Sequence, residues 1–384
     1  MKIAYLSNNY DTSNINFKHG WAYYLTRSFK DIGVELVIVP AYEPFYLKLL
    51  KIKQRLLKII FGKNNPWSRI TYLQKYEAKK RAKFLKSIDY DACFTFGSIS
   101  TAYLKIDKPL YFYTDAVFAS LLDKYENFSN MSTSYIRQAN LSEKMAFDNA
   151  RRVFLSSNWA AKEAAVIYGV DPKKMVIAEF GANLEKILPH DEIISNIEQK
   201  SLDIINFVFI GWDWKRKGAL QAIEIVNELR SRGINVKLTF VGCEPEYSKE
   251  KYDFVEVTGY LKKDSEEGAL RFNSILLKSH FFIMLSKYET FGQVYCEANA
   301  FGIPCIGADV LGVSTVIKDG VNGLLINPDD EIEKIVERIF ELIIDKEKYI
   351  TLCKSSLNKY ETRLNWNTCA QTIYRTIIET KDEA

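Results

Sequence analysis

This chain is poor in the residues that hold metals and in the long apolar runs that cross membranes. Histidine occurs three times in 384 residues, at His19, His190 and His280, too sparsely for a multi-histidine metal centre. The six cysteines, Cys93, Cys243, Cys296, Cys305, Cys353 and Cys369, never form a C-x-x-C pair. Their scatter argues against a disulfide framework or structural zinc and for free thiols in a reducing compartment. No apolar run approaches the roughly 20 residues a membrane span needs, and Met1–Ser7 reads as a short strand rather than a signal peptide. The expectation is a cytoplasmic protein with no resident metal or cofactor.

What is present suits one large core or two ordinary ones: hydrophobic residues make up 47% of the chain and charged residues 26%. The net charge of +4 hides an asymmetry, because residues 1–190 carry 28 Lys and Arg against 17 Asp and Glu, whereas the remainder carries 24 against 31. Most of the excess lies in residues 45–86, with 13 basic side chains and a single acidic one, Glu77.

Short apolar runs alternate with helical periods along the chain. In the first half, strands are expected at Ile3–Leu6, Val34–Val39, Ala92–Phe96, Leu110–Tyr113, Arg152–Leu155 and Val176–Ala178. After a polar linker within Leu184–Leu202 the rhythm restarts, with strands at Asn206–Ile210, Val236–Val241, Phe254–Val257, Phe281–Leu285, Cys305–Gly307 and Leu324–Ile326. Strand–helix–strand order of this kind favours parallel sheets. Two doubly wound Rossmann-like domains follow, 1–190 and 200–355, facing each other across a cleft.

Phe45–Phe61 departs from this rhythm. Lys48, Lys51, Arg55 and Lys58 share one narrow helical stripe opposite a broad arc of Leu49, Leu50, Ile52, Leu56, Leu57, Ile59 and Ile60. Such a helix suits an anionic membrane surface and equally suits packing on its own sheet with its lysines in solvent. Lys75–Lys86 reads as a plain solvated helix. A nucleic-acid role for 45–86 lacks an aromatic-interleaved platform or a groove-reading helix.

In a parallel sheet, ligands gather at the carboxyl ends of the strands. Gly20, at a loop-to-helix junction, permits close backbone approach, and Asp115 follows a strand pointing at the same cleft. In the second domain Arg216 and Lys217 can neutralise a diphosphate, and the Phe291-Gly292-Gln293 amides open a helix suited to an anion. Glu289 can accept from sugar hydroxyls, and Glu297 suits the vicinal diol of a ribose. Asp89-Tyr90-Asp91 has the form of a D-x-D metal motif but precedes its strand, on the wrong edge of the sheet. His19 can touch a phosphate or serve as a helix-capping or packing residue.

The stretch E-T-F-G-Q-V-Y-C-E-A-N-A-F-G-I-P, Glu289 to Pro304, resembles the E-x7-E signature of the retaining glycosyltransferases of family 4, of GT-B fold. The loop to Gly20, R-K-G at Arg216–Gly218, K-D-G-V-N-G-L-L at Lys318–Leu325 and N-W-N at Asn365–Asn367 fit the same pattern. The resemblance implies that Gly20, Lys217 and Arg216 hold the diphosphate of a nucleoside diphosphate sugar, UDP- or GDP-linked. It implies that Glu289, Phe291 and Gly292 hold the donor sugar, with Gln293 and Val294 beside them, that Glu297 holds the ribose, and that Tyr260 and Leu261 face the base. Glu289, Lys217 and Asp115 would carry the chemistry, without a metal. The N-terminal domain would bind a glycan or lipid-linked acceptor, as in bacterial surface polysaccharide synthesis, and the final helix, within 360–384, would return to it. Two positions depart from the family: Trp212 stands where many members have arginine, and Thr114-Asp115 where many have a histidine. Asp115 would then orient the acceptor hydroxyl or stabilise charge on the sugar ring. A nucleotide-sugar epimerase or a phosphorylase on the same fold is the rival enzyme, and a membrane- or nucleic-acid-binding module around 45–86 the rival of another class.

Overall fold

The computed structural model describes residues 1–7, 12, 15 and 20–383, and the chain divides into two compact units. Met1–Ala178 with Cys369–Ala384 form the first, and Glu179–Thr368 the second.

In the first unit, β1 (Lys2–Leu6), β2 (Glu35–Val39), β3 (Ala92–Phe96), β4 (Leu110–Thr114), β5 (Arg152–Leu155) and β6 (Met175–Ile177) form one sheet in the order β2-β1-β3-β4-β5-β6. Every pairing is parallel. Strands covered on both faces read as unbroken apolar runs, and here they are aromatic: Phe94, Tyr111, Phe112, Tyr113 and Phe154 are wholly buried. β2 is not the buried strand its sequence suggests. Among the described residues it is an edge strand paired with β1 alone, and Glu35 and Ile38 reach solvent.

Helices α1 (Trp21–Asp31), α2 (Leu47–Phe61), α3 (Thr71–Leu85), α4 (Phe118–Leu121), α5 (Thr133–Asn149) and α6 (Asn158–Tyr168) complete this unit's connections. Ser132 and Ser157 cap α5 and α6 by accepting from the amides of Tyr135 and Ala160. α3 is not a plainly solvated helix. Arg81 is wholly buried, 2.8 Å from Glu77, and donates to the Ser7 carbonyl at 2.7 Å. A guanidinium can sit there because a carboxylate one turn earlier and a strand-end carbonyl both meet its Nη2. α2, by contrast, buries one residue, Leu47.

In the second unit, β7 (Ile205–Ile210), β8 (Val236–Val241), β9 (Val255–Val257), β10 (Phe281–Met284), β11 (Cys305–Ala308) and β12 (Gly323–Ile326) pair in the order β12-β11-β10-β7-β8-β9, all parallel. Strand order reverses between β7 and β10, and a ligand crevice is expected beyond their carboxyl ends. The helices are α7 (His190–Gln199), α8 (Ala219–Ser231), α9 (Glu266–Lys278), α10 (Gln293–Asn299), α11 (Val313–Val316), α12 (Ile332–Ile344) and α13 (Lys346–Thr362).

The linker departs from its sequence reading. Residues 190–199 form α7, which buries Ile193 and Ile197, and the boundary between units falls after Ala178. Residues 179–183 are claimed by the second unit: Glu179 lies 2.6 Å from Arg363, and the Phe180 ring packs against Phe291 and Trp366. The last helix, α14 (Trp366–Thr380), starts in the second unit and belongs to the first from Cys369 onward.

Candidate active site at the carboxyl ends of β7 and β10

Gly211 ends β7. A Cβ there would fall 2.4 Å from Cδ of Lys217, so only glycine lets the Lys217 side chain cross the strand end. Gly218, with φ of 77°, opens α8, and its bare Cα lies against the Leu285 carbonyl just beyond β10. The second of these close approaches holds the 212–218 loop against the β10 end, and the first lets Lys217 cross the end of β7.

The charged side chains meet there. Glu289 stands 3.7 Å from Arg216 and 3.9 Å from Lys217. Lys217 is buried, and the nearest partner for its ammonium is the Met284 thioether at 3.3 Å. Burial pushes the Lys217 ammonium below the usual lysine range, and Glu289 partly offsets that. Arg216 is anchored more firmly, donating from Nε to Asp213 at 2.9 Å and from Nη1 to the Tyr288 carbonyl at 2.6 Å. Asp213, which the sequence reading passed over, sets the direction of Arg216.

Glu297 lies on α10, only 2% exposed. Its Oε1 accepts from Lys263 at 2.7 Å, while its Oε2 is buried without a hydrogen-bond partner. Lys263 also donates to the Asn183 carbonyl at 3.3 Å. A carboxylate with one oxygen held and the other unengaged is suited to accept from hydroxyls. Lys263 also escaped the sequence reading, since its partner lies 34 positions away.

The remaining predicted residues fall into two groups. The Gln293 side chain is committed, donating to the Gly181 carbonyl and to Asn183 at 3.3 Å each. Phe291 is buried with its ring 5.3 Å from Phe180. Both therefore offer a ligand backbone rather than side chain, as does Gly292, the N-cap of α10. α10 spans seven residues, so amide donors of its first turn matter more than any long-helix dipole. Val294 is half-buried, Leu261 buried, and Tyr260 74% exposed beyond β9. Trp212 is likewise exposed.

Gly20 and Asp115 belong to the first unit. Gly20 is the N-cap of α1, and half-buried Asp115 follows β4, so both lie at the carboxyl edge of that sheet. His19 lies outside the described residues. Asp89 and Asp91 sit at the opposite edge and turn to Lys2, at 3.6 Å from its ammonium and 2.8 Å from its amide.

The fold defines a class: two Rossmann-like α/β units, the fold of the GT-B glycosyltransferases. Residues 191–356 match the family model described as Glycosyl transferases group 1. The chain is 26% identical over 259 residues to a D-inositol 3-phosphate glycosyltransferase of Kribbella flavida, covering 62% of this chain and 60% of that one. It is 27% identical over 198 residues to the capsular polysaccharide biosynthesis glycosyltransferase CapM of Staphylococcus aureus, covering 48% and 50%. The matches thus span half to three fifths of these relatives' length. Among solved structures, HepE of Anabaena in complex with UDP aligns over 99% of this chain and all of that one, with a TM-score of 0.64 and 16% identity.

Proposed function

We propose that this chain is a retaining glycosyltransferase of the family 4 type, transferring a sugar from a UDP- or GDP-linked donor to a glycan or lipid-linked acceptor in bacterial surface polysaccharide synthesis. The observation that carries the reading is the convergence of Lys217, Arg216 and Glu289 at the β7–β10 switch point, on the same unit as the half-engaged carboxylate of Glu297. We assign Lys217 and Arg216 to the leaving diphosphate, Glu289 with the Phe291 and Gly292 amides to the donor sugar, Glu297 to the ribose, and Tyr260 with Leu261 to the base. Gly20 and Asp115 are assigned to the diphosphate and to the acceptor hydroxyl. A buried ammonium whose best protein partner is a thioether is a preorganised charge for a developing anion.

The test is a donor screen that measures nucleoside diphosphate release with and without acceptor. Lys217→Ala and Glu289→Ala should each lower turnover by about 10²–10³-fold while the melting transition is retained. Near-normal turnover in either variant rejects the assignment. Release independent of any acceptor favours the epimerase or phosphorylase reading.

The exposed face of α2 supports a second element of the proposal, peripheral attachment to an anionic bilayer on the cytoplasmic side. Leu49, Ile52, Leu56, Ile59, Ile60 and Phe61 are all more than half exposed, and 13 basic residues against one acidic surround them in 45–86. An apolar face bordered by cations matches the boundary between acyl chains and anionic headgroups. Among the described residues, no helix is long and apolar enough to cross a membrane. Sedimentation with anionic vesicles and not with neutral ones is the expected result. Equal binding to both, or to neither, removes this element.

A further inference from the structure

A second cavity, of about 280 Å³, opens in the first unit at the carboxyl ends of β2 and β3, beside the β1–β3 reversal of that sheet. Three aromatic side chains, Tyr42, Trp67 and Phe96, line it together with Glu77, Ser100 and Leu47. We propose that this cavity receives one sugar ring of an acceptor carried on a lipid. The inference rests on the glycosyltransferase reading for the word acceptor.

The lining has the two characters of a pyranose, whose ring faces are apolar and whose rim is hydroxylated. Aromatic faces meet the first and fixed polar groups the second. At about 280 Å³ the space lies below the ~300–1,000 Å³ of drug-sized sites, which fits a single ring rather than a nucleotide. Glu77 is the one carboxylate in the basic block, and it is fixed 2.8 Å from the buried Arg81. Burial raises its carboxyl above the usual range, and Arg81 opposes that shift. A carboxylate held in place can accept from a ring hydroxyl without reorganising.

The residues on either side of Trp67 are fixed as well. Two residues on, Arg69 donates to buried Glu143 at 2.6 Å and lies 4.8 Å from the centre of the Phe118 ring. The Tyr135 hydroxyl holds the carbonyl of Pro66 at 2.7 Å. The rim supplies the link to a lipid. Leu47, in the first turn of α2, forms part of the cavity wall, and six apolar residues further along that helix face solvent. Lys51, one turn further, lies 4.8 Å from the centre of the Trp67 ring and 3.9 Å from Glu43, which also lines the cavity. Cavity, rim cation and apolar face follow one another in the order of a sugar, a phosphate and a lipid chain.

The test uses the full chain labelled with 5-fluorotryptophan, in which the Trp67 resonance is identified by its loss in Trp67→Phe. Methyl glycosides of glucose, galactose, mannose and N-acetylglucosamine are titrated to about 100 mM, which half-fills even a site with a Kd of that size. At least one should shift the Trp67 resonance saturably, and Tyr42→Ala should weaken it by about tenfold or more. The octyl glycoside of that sugar, below its micelle concentration, should bind at least about tenfold more tightly than the methyl glycoside. No shift with any glycoside, or an equal shift with UDP, overturns the sugar site; equal affinity of methyl and octyl forms overturns the lipid link. Calorimetric binding of UDP or GDP to the same sample is read separately. Its absence rejects the donor reading without altering the Trp67 result.

Discussion

Arg81 in the first unit and Lys217 in the second are both buried cations near the carboxyl edge of a parallel sheet, and they are held in opposite ways. Arg81 meets a carboxylate at 2.8 Å and a carbonyl at 2.7 Å. Lys217 has a thioether at 3.3 Å, and its carboxylate stands off at 3.9 Å. The same architecture thus joins elements through a buried cation in one unit and leaves a buried cation with only a thioether and a distant carboxylate in the other. What separates the two is how much of the cation's bonding capacity the protein itself takes up.

The largest effect should come from setting these two cations against each other. Arg81→Met removes a wholly buried guanidinium, leaves the half-buried Glu77 without its cation, and should destabilise by about 3–5 kcal/mol. Lys217→Met removes a charge that burial disfavours and should leave stability unchanged or raised, as expected where a site trades stability for activity. Denaturant unfolding of both variants checks this; equal losses would erase the distinction.

A smaller effect, confined to the second unit, follows from His280. Burial lowers this imidazole to about 4. Its Nδ1 accepts from the Asn206 amide at 3.0 Å, and Nε2 lies 2.7 Å from the Ser201 carbonyl. The unfolded chain therefore binds a proton that the folded chain refuses between about pH 6.5 and 4. Stability is fully present above that window, falls as pH drops through it, and loses about 3 kcal/mol in all. Denaturation from pH 4 to 7 should show this slope, and His280→Gln should flatten it.

The smallest effect on stability belongs to α2. Ile52→Glu and Ile59→Glu should change unfolding free energy by no more than about 0.5 kcal/mol each, while attachment to anionic vesicles is lost. Ile339→Glu, at a wholly buried position of the amphipathic α12, is the contrasting control and should prevent folding.

The strands were legible because parallel strands buried on both faces leave unbroken apolar runs, as at Phe281–Met284. Lys217, Arg216 and Glu289 were legible as a group because each follows a strand that ends at one switch point. The sequence hid what depends on distant partners. Arg81 looks like any helix-surface arginine until Ser7 and Glu77 are placed around it. α7 was missed because its two buried isoleucines lie among polar residues. The boundary was misplaced because only Phe180, packed against Phe291 and Trp366, reveals that residues 179–183 belong with the second unit. Lys263 shows no spacing that ties it to Glu297.

The passage of α14 from one unit to the other bears on how the chain is made. The first unit's sheet is complete by Ile177, yet its packing waits on Ile373 and Ile377, both fully buried, and on a 2.9 Å hydrogen bond between the Tyr111 and Thr380 hydroxyls. Domains usually fold in the order they leave the ribosome. Here the unit begun first is finished last, after the whole of the second has emerged. Until then its aromatic sheet lacks part of its cover, a window in which a chaperone would find apolar surface to hold.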